Sequence, residues 1–236
     1  MTRARPVVAI DGPAGAGKTT VTRRVASELG YLLVDTGAIY RAVALAAVER
    51  GLDRGDEVAV GELARTLAAA GAIHFEVRDD GAQRVLLEGR DVSTAIRTQE
   101  IAEGASRVSA IPMVRSALLA MQQKAGEQGG VVLEGRDIGS VVFPDAEAKF
   151  FLTASVDVRA ERRAKELAER GVPADLETIR REVAERDYRD STRAVSPLVQ
   201  AADARLVDSS GVPVDQVVAS IVAEVREVER RLAGAK

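Results

Sequence analysis

The residues with the clearest chemical consequence are Gly12, Pro13, Ala14, Gly15, Ala16, Gly17, Lys18 and Thr19. They spell an ungapped G-x-x-x-x-G-K-[ST], the phosphate-binding P-loop pattern. Glycines in such a stretch let backbone N–H groups turn inward around phosphate oxygens, and a helix starting at its end adds a positive dipole terminus. Lys18 can reach the transferring phosphates of a nucleotide, and the hydroxyl of Thr19, followed by Thr20, can hold a magnesium ion. The alternative is a glycine-rich strand-to-helix turn carrying a chance lysine. The flanking sequence argues against it: Pro6–Ile10 reads as a short buried strand, and Thr19–Leu29 places Val21, Val25, Ala26 and Leu29 at helical spacing.

Other elements must position this loop. Leu32–Val34 reads as a second buried strand, ending in Asp35-Thr36-Gly37-Ala38-Ile39-Tyr40-Arg41, a polar turn opening a helix through Arg50. Asp35 thus stands at a strand's C-terminal end, where open α/β sheets keep their ligand chemistry. A helix over 57–70 follows. Ile73, Phe75 and Val77 then alternate with polar residues, Asp80-Gly81 makes a turn, and 84–87 returns, which predicts a β-hairpin inserted in the α/β pattern. From 99 to 126 the spacing is helical, with a break at Ile111-Pro112 and Pro112 suited to a first helical turn. The apolar run 131–133 delivers Glu134-Gly135-Arg136-Asp137-Ile138-Gly139, and 150–152 is another. Charged helices over 157–170 and 175–189, a strand at 206–207 and a helix over 214–232 complete the chain. This alternation predicts an α/β fold, with a mostly parallel sheet flanked by helices. The near-identical hexapeptides Leu87–Val92 and Leu133–Ile138 are too short for a repeat architecture. Only the second leaves a core strand on the P-loop side, so only the second is assigned function.

Composition narrows the field. The chain's 236 residues, 46% hydrophobic and 29% charged, suffice for a full core of a soluble globular protein. No apolar run is long enough for a membrane span, and no basic-then-apolar signal segment opens the sequence. The absence of cysteine removes disulfides and thiolate metal sites and makes a cytoplasmic address the default. A net charge of −3 gives no general pull toward nucleic acid. The missing Asn and Cys suit a heat-adapted source, while a GC-rich genome would equally favour arginine and alanine.

A P-loop alone admits a nucleotide switch, a mechanical ATPase or a small-molecule kinase. A guanine-nucleotide switch normally reads its base through Asn-Lys-x-Asp, and this chain has no asparagine. A mechanical ATPase calls for a strand ending in Asp-Glu and further modules. The candidate strand here ends in Glu-Gly-Arg-Asp, and arginines crowd two late helices that could close over phosphates. A kinase fits best.

Six ordered motifs carry a more specific likeness: Ile10–Lys18, Asp35–Arg41, Ile96-Arg97-Thr98-Gln99, Gly135–Gly139, Val142-Phe143-Pro144, and Arg186-Asp187 through Arg193-Ala194-Val195. From Val8 to about Ala223 the sequence resembles the bacterial cytidylate kinases, within the P-loop nucleoside monophosphate kinases. The β segment near Ile73 to Leu87 also resembles an insertion of the bacterial members. Thr36 stands where relatives often have Ser, and Glu134 where many have Asp.

The resemblance implies a P-loop core (1–35, 112–158 and 172–236), a monophosphate-binding part (36–111, with a β insertion at about 72–98) and a helical lid (159–171). It implies transfer of the ATP γ-phosphate to CMP or dCMP by a monomer that needs neither nucleic acid nor membrane. ATP would lie on Gly12 through Thr20, with Mg2+ held by Thr19 and, through water, Asp35. Lys18, Arg136, Arg162 and Arg193 would be catalytic, Arg162 opening the lid and reaching the ATP phosphates. Arg41, Arg136 and Arg97 would bind the acceptor phosphate. Ser106, Arg115 and Asp137 would read the cytosine edge, and Thr36, Asp190 and Arg193 would complete the acceptor site. Another nucleotide or small metabolite as acceptor stays open, as does a regulatory nucleotide-binding module without turnover.

Bland readings stand beside these. Arg159, Arg163 and Lys165 read as a solvated helical face. Arg97 and Ser106 could serve helix capping, and Arg136 and Asp137 could form a local salt bridge. The single histidine, His74, falls on the hairpin as a surface residue. A phosphate monoester acceptor needs no general base, because its second pKa is about 6. It needs positive charge and the removal of water, and arginine's permanently charged planar fork supplies the first.

Overall fold

A computed structural model describes residues 3–77, 83–169 and 171–234. The expected turn at Asp80-Gly81 and the expected helix end at Arg170 lie outside them. The first elements are β1 (Val7–Asp11), α1 (Lys18–Leu29), β2 (Leu32–Asp35), α2 (Thr36–Glu49), α3 (Glu57–Ala69), β3 (Ile73–Val77), β4 (Gln83–Leu87) and β5 (Arg90–Asp91). There follow α4 (Gln99–Val108), α5 (Pro112–Gly126), β6 (Val131–Gly135), β7 (Ala148–Thr153), α6 (Val156–Glu169), α7 (Leu176–Thr192), β8 (Arg205–Asp208) and α8 (Val214–Gly234). The chain divides into two compact units, Met1–Leu33 with Gln128–Lys236, and Val34–Glu127. Among the described residues no helix is long and apolar enough to cross a membrane.

The first unit is built on a five-stranded sheet in the order β2-β6-β1-β7-β8. β1 pairs in parallel with β6 and β7, and β7 with β8. Every residue of β1 and β6 is buried, which explains their unbroken rather than alternating apolar runs. Val8, Ile10 and Phe150 pack with Val21 and Val25 of α1 and with Val218, Ile221 and Val225 of α8. The β1–β6 register sets Ile10 opposite Glu134 and Asp11 opposite Gly135. The phosphate loop and the Gly135–Gly139 turn therefore leave the sheet from level, adjacent strand ends. α6 and α7 join through a small cluster of Ala160, Leu167 and Ile179.

In the second unit, α2 to α5 pack with a separate antiparallel sheet ordered β3-β4-β5. Ten of the fourteen residues of α2 are buried, so it is an interior helix with little amphipathic character. Side-chain caps fix the starts: Asp35 accepts from the Ala38 N–H, Asp56 from those of Val58 and Ala59, and Thr98 from that of Ile101. Arg97 and Ser106 therefore do not cap α4. α3 and α5 approach closely at Gly61, where a Cβ would lie 2.4 Å from Met113 Sδ.

Two expectations need correction here. The resemblance places 112–126 in the core, yet α5 buries Val114 and Leu118 in the cluster of the second unit, because α3 offers it that apolar face. Arg159 reads from its spacing as part of a solvated face, yet it is 4% exposed. Lys165 is exposed, and Arg163 pairs with Glu166 one turn along its own helix.

Candidate active site

The phosphate loop takes its shape from backbone that only glycine allows. Gly12 has φ +150° and lies so close to β7 that a Cβ would sit 1.9 Å from the Leu152 carbonyl oxygen. Gly17, at φ +87°, is the left-handed residue from which α1 starts, and its N-cap position makes no side-chain bond. The N–H groups at the start of α1 are thereby left to face an anion.

Lys18 is 8% exposed and folds back over the loop, its Nζ donating to the Gly12 and Pro13 carbonyls at 2.7 Å each. Burial pushes the Lys18 amine well below its ordinary pKa; nearby Arg136 and Arg186 push the same way, against Glu134 and Asp11. Cations crowded around a buried amine make a place that favours an anion.

Beside the loop, Glu134 of β6 is 5% exposed and accepts from Thr19 Oγ1 at 2.9 Å and Thr22 Oγ1 at 2.8 Å. Among the described residues no group of three or more His, Cys, Asp or Glu side chains could cage a metal ion. The Thr19 hydroxyl and the Glu134 carboxylate nevertheless fit magnesium, which takes few protein oxygens and completes its shell with phosphate and water. Asp35, expected on the metal side, has both oxygens engaged within the second unit, Oδ1 by the Ala38 N–H at 3.1 Å and Oδ2 by Arg41 Nη2 at 2.6 Å.

The turn after β6 carries Arg136 and Asp137. Arg136 Nε donates to Asp190 Oδ2 at 3.0 Å, and Arg193 Nη2 stands 3.8 Å from Asp137 Oδ1. Burial acts to raise the Asp190 pKa, but Arg136 and Arg186, with help from Arg193, hold it below the ordinary carboxylate value. Arg193 is itself fixed by Nε donating to the Ser196 carbonyl. Lys18, Arg136, Asp137, Asp190 and Arg193 are thus assembled in the first unit.

Two arginines of α6 tie it to the loop. Arg159 forks onto Asp187 of α7 and also donates to the Ala14 carbonyl at 3.2 Å. Arg162 donates to Ser209 Oγ at 3.1 Å and to the Ser209 carbonyl at 2.7 Å, while Ser209 Oγ bonds the Ala16 carbonyl at 3.1 Å. A Cβ on Gly17 would lie 3.7 Å from Arg162 Nη1, so this guanidinium stands at the start of α1.

The second unit holds the remaining candidates. Arg115 is 6% exposed, its guanidinium 5.4 Å from the centre of the Tyr40 ring and its Nη1 bonded to the Ser109 carbonyl at 3.1 Å. Thr36 is buried at the start of α2, Ser106 is half-buried on α4, and Arg97 is exposed with Nε on the Ser93 carbonyl. Reading the sequence missed Glu134, Asp11, Arg159 and Ser209 as site-forming residues. The motif match gave Glu134 as a departure, but no spacing rule linked it to Thr19 and Thr22 across 115 and 112 residues.

A parallel sheet, a phosphate loop between its first strand and helix, and arginines gathered at the strand ends define a P-loop kinase. The cytidylate kinase family profile matches residues 8–227. The cytidylate kinase of Pelotomaculum thermopropionicum is 49% identical over 220 residues, covering 93% of this chain and 96% of that protein. Those of Syntrophotalea carbinolica (51%; 94% and 92% covered) and Bordetella pertussis (48%; 93% and 94% covered) are similarly near. The chain belongs to the cytidylate kinase family and is an ATP-dependent phosphotransferase.

Proposed function

We infer that the protein transfers the γ-phosphate of ATP to CMP or dCMP, giving ADP and CDP or dCDP. The observation that carries the reading is the charge around the loop. Burial first, and then the nearby Arg136 and Arg186, hold the Lys18 pKa down, and this gathering of cations at the buried loop suits converging phosphates. The near-full-length identity to cytidylate kinases supports the choice of acceptor.

In this account Lys18 leaves the Gly12 and Pro13 carbonyls for phosphate oxygens, and the N–H groups from Gly12 to Thr20 cradle the donor. Thr19 and Glu134 would hold magnesium and its water, and the ion, when bound, neutralises phosphate charge. Arg136, Arg162 and Arg193 stabilise charge on the transferring group. The acceptor oxygen is already ionised near neutral pH, its second pKa being about 6, so no side chain has to remove a proton.

On the acceptor, Arg41, Arg97 and Arg136 are assigned to the phosphate, Thr36, Asp190 and Arg193 to the ribose and phosphate region, and Ser106, Arg115 and Asp137 to the base. Asp35 orients Arg41, and a water-mediated role toward the metal is kept for it. Residues 159–171 serve as the lid, and the working unit is one chain in the cytoplasm. Phosphorus NMR of ATP and CMP with the protein tests the reaction. Equimolar ADP and CDP are expected; ATP hydrolysis to ADP and free phosphate without CDP would refute it.

A further inference from the structure

Asp11, the residue immediately before the phosphate loop, gives its side chain to the turn that follows β6. It is 4% exposed, and both its oxygens are committed to backbone, Oδ1 accepting the Ile138 N–H at 2.8 Å and Oδ2 the Gly139 N–H at 2.7 Å. The β1–β6 register ends at Asp11 opposite Gly135, so the Asp11 side chain continues the cross-strand connection past the last paired residues. It does so just where the chain has delivered Arg136 and Asp137.

The turn it holds is fixed from the other side as well. The Asp137 carbonyl accepts the Val141 and Val142 N–H groups at 2.9 and 3.1 Å. A Cβ on Gly139 would meet Lys149 Cδ at 3.2 Å and Asp11 Oδ2 at 3.5 Å, so Gly139 is enclosed between the carboxylate and the lysine stem. The Lys149 head is anchored by the Pro144 carbonyl at 2.6 Å and by Asp203 at 2.7 and 3.0 Å. Burying a carboxylate this deeply costs stability unless its bonds serve something. Consistent with that cost, burial raises the Asp11 pKa to about 6, against the lowering by the Gly139 and Ile138 amides; Asp137 raises it further and Lys18 opposes.

We propose that Asp11 is a positioning residue that clips the turn bearing Arg136 and Asp137 to the strand bearing the phosphate loop, and so sets the acceptor site while leaving the donor site to its own supports. This rests on the reading of Arg136 and Asp137 as acceptor-binding residues. The loop has independent fixtures: Gly12 against Leu152, Lys18 across two carbonyls, and Arg159 on Ala14. The Arg136 turn depends on Asp11 for two of its amides.

Asp11→Asn is the test, because it keeps the shape but turns an NH2 toward one of the two N–H groups. Titration calorimetry with CMP and with ATP separately should show CMP weakened at least about tenfold, the loss of a charge-assisted hydrogen bond, and ATP changed by less than about twofold. Gly139→Ala, whose Cβ would crowd Lys149 Cδ at 3.2 Å while meeting Asp11 Oδ2 at ordinary contact distance, disturbs the same turn from its lysine side and should give the same split if Asp11→Asn fails to fold. Equal weakening of both ligands, or of neither, would overturn the proposal. Amide hydrogen exchange separates this from the assignment of the acceptor. If the wild type binds no CMP, that assignment fails, and the clip still stands or falls on whether Ile138 and Gly139 lose protection in the variant.

Discussion

Arg159 grips Asp187 with both ends of its guanidinium, Nη1 to Oδ1 at 2.9 Å and Nη2 to Oδ2 at 2.6 Å. The same Nη1 reaches the Ala14 carbonyl, and Nε bonds the Ala154 carbonyl at 2.8 Å. One side chain thus joins the end of β7, both late helices and the phosphate loop. Removing one partner of a buried pair costs about 3–5 kcal/mol, and Asp187, 25% exposed at its side chain, keeps some access to water. Arg159→Ala is expected to lose about 3 kcal/mol in urea unfolding, and Arg159→Lys to recover less than half because it lacks the fork. A loss below about 1 kcal/mol would mean the pair acts as a surface bridge.

The same contact divides the helix. Residues 156–160 are held by Arg159 and by the buried Ala160, whereas 161–166 carry no buried residue. Hydrogen exchange should therefore show protection through 160 without ligand, and faster exchange over 161–166 that slows when a bisubstrate analogue binds and water is excluded. Equal protection of 161–166 with and without the analogue would contradict a lid.

Lys18 is placed by the loop but held by no carboxylate bond, its nitrogen resting on two carbonyls. Lys18→Ala should keep the fold, by circular dichroism, and lower kcat by about 10²–10³, the value of one preorganised charge. Near-normal turnover would remove the loop from the mechanism.

Asp11 predicts a pH dependence. Its folded pKa, about 6, is above the ordinary 3.8, so the native state binds the proton more tightly than the unfolded one. The associated stabilisation is fully present below the unfolded value and is lost as pH rises through about 6. Between pH 4 and pH 7 the stability of the wild type relative to Asp11→Asn should fall by on the order of 3 kcal/mol in urea titrations. Asp190, whose pKa is lowered, acts in the opposite sense but is common to both proteins. A difference independent of pH would refute the raised pKa.

Much of this was legible in the chain. Val7–Asp11 and Lys18–Leu29 follow directly from an apolar run, the glycine spacing and a helical period. The repeated hexapeptide shows the limit of such reading. In the first copy Glu88 and Arg90 pair with Arg50 and Glu49 at the end of α2, while in the second Glu134 takes two threonine hydroxyls and Arg136 takes Asp190. The letters are alike, and the strand order around them decides the use. The placing of α5 is hidden for a related reason, since an apolar helical face does not say which unit it will cover. Arg159 looked like one more charge on a polar helix, because its partners lie 28 and 145 residues away.

The central claim is that this site selects a cytosine acceptor, and steady-state kcat/KM with CMP and UMP at saturating ATP tests it most directly. Cytosine offers an amino donor at C4, which a carboxylate such as the one proposed for Asp137 can accept, whereas uracil presents an acceptor oxygen there. The account predicts CMP well ahead of UMP, by several tens-fold or more as polar mismatches in enclosed sites give, and a narrower ratio in Asp137→Asn, whose amide can face either base. Equal efficiency with both acceptors in the wild type, or a ratio unmoved by Asp137→Asn, would contradict it.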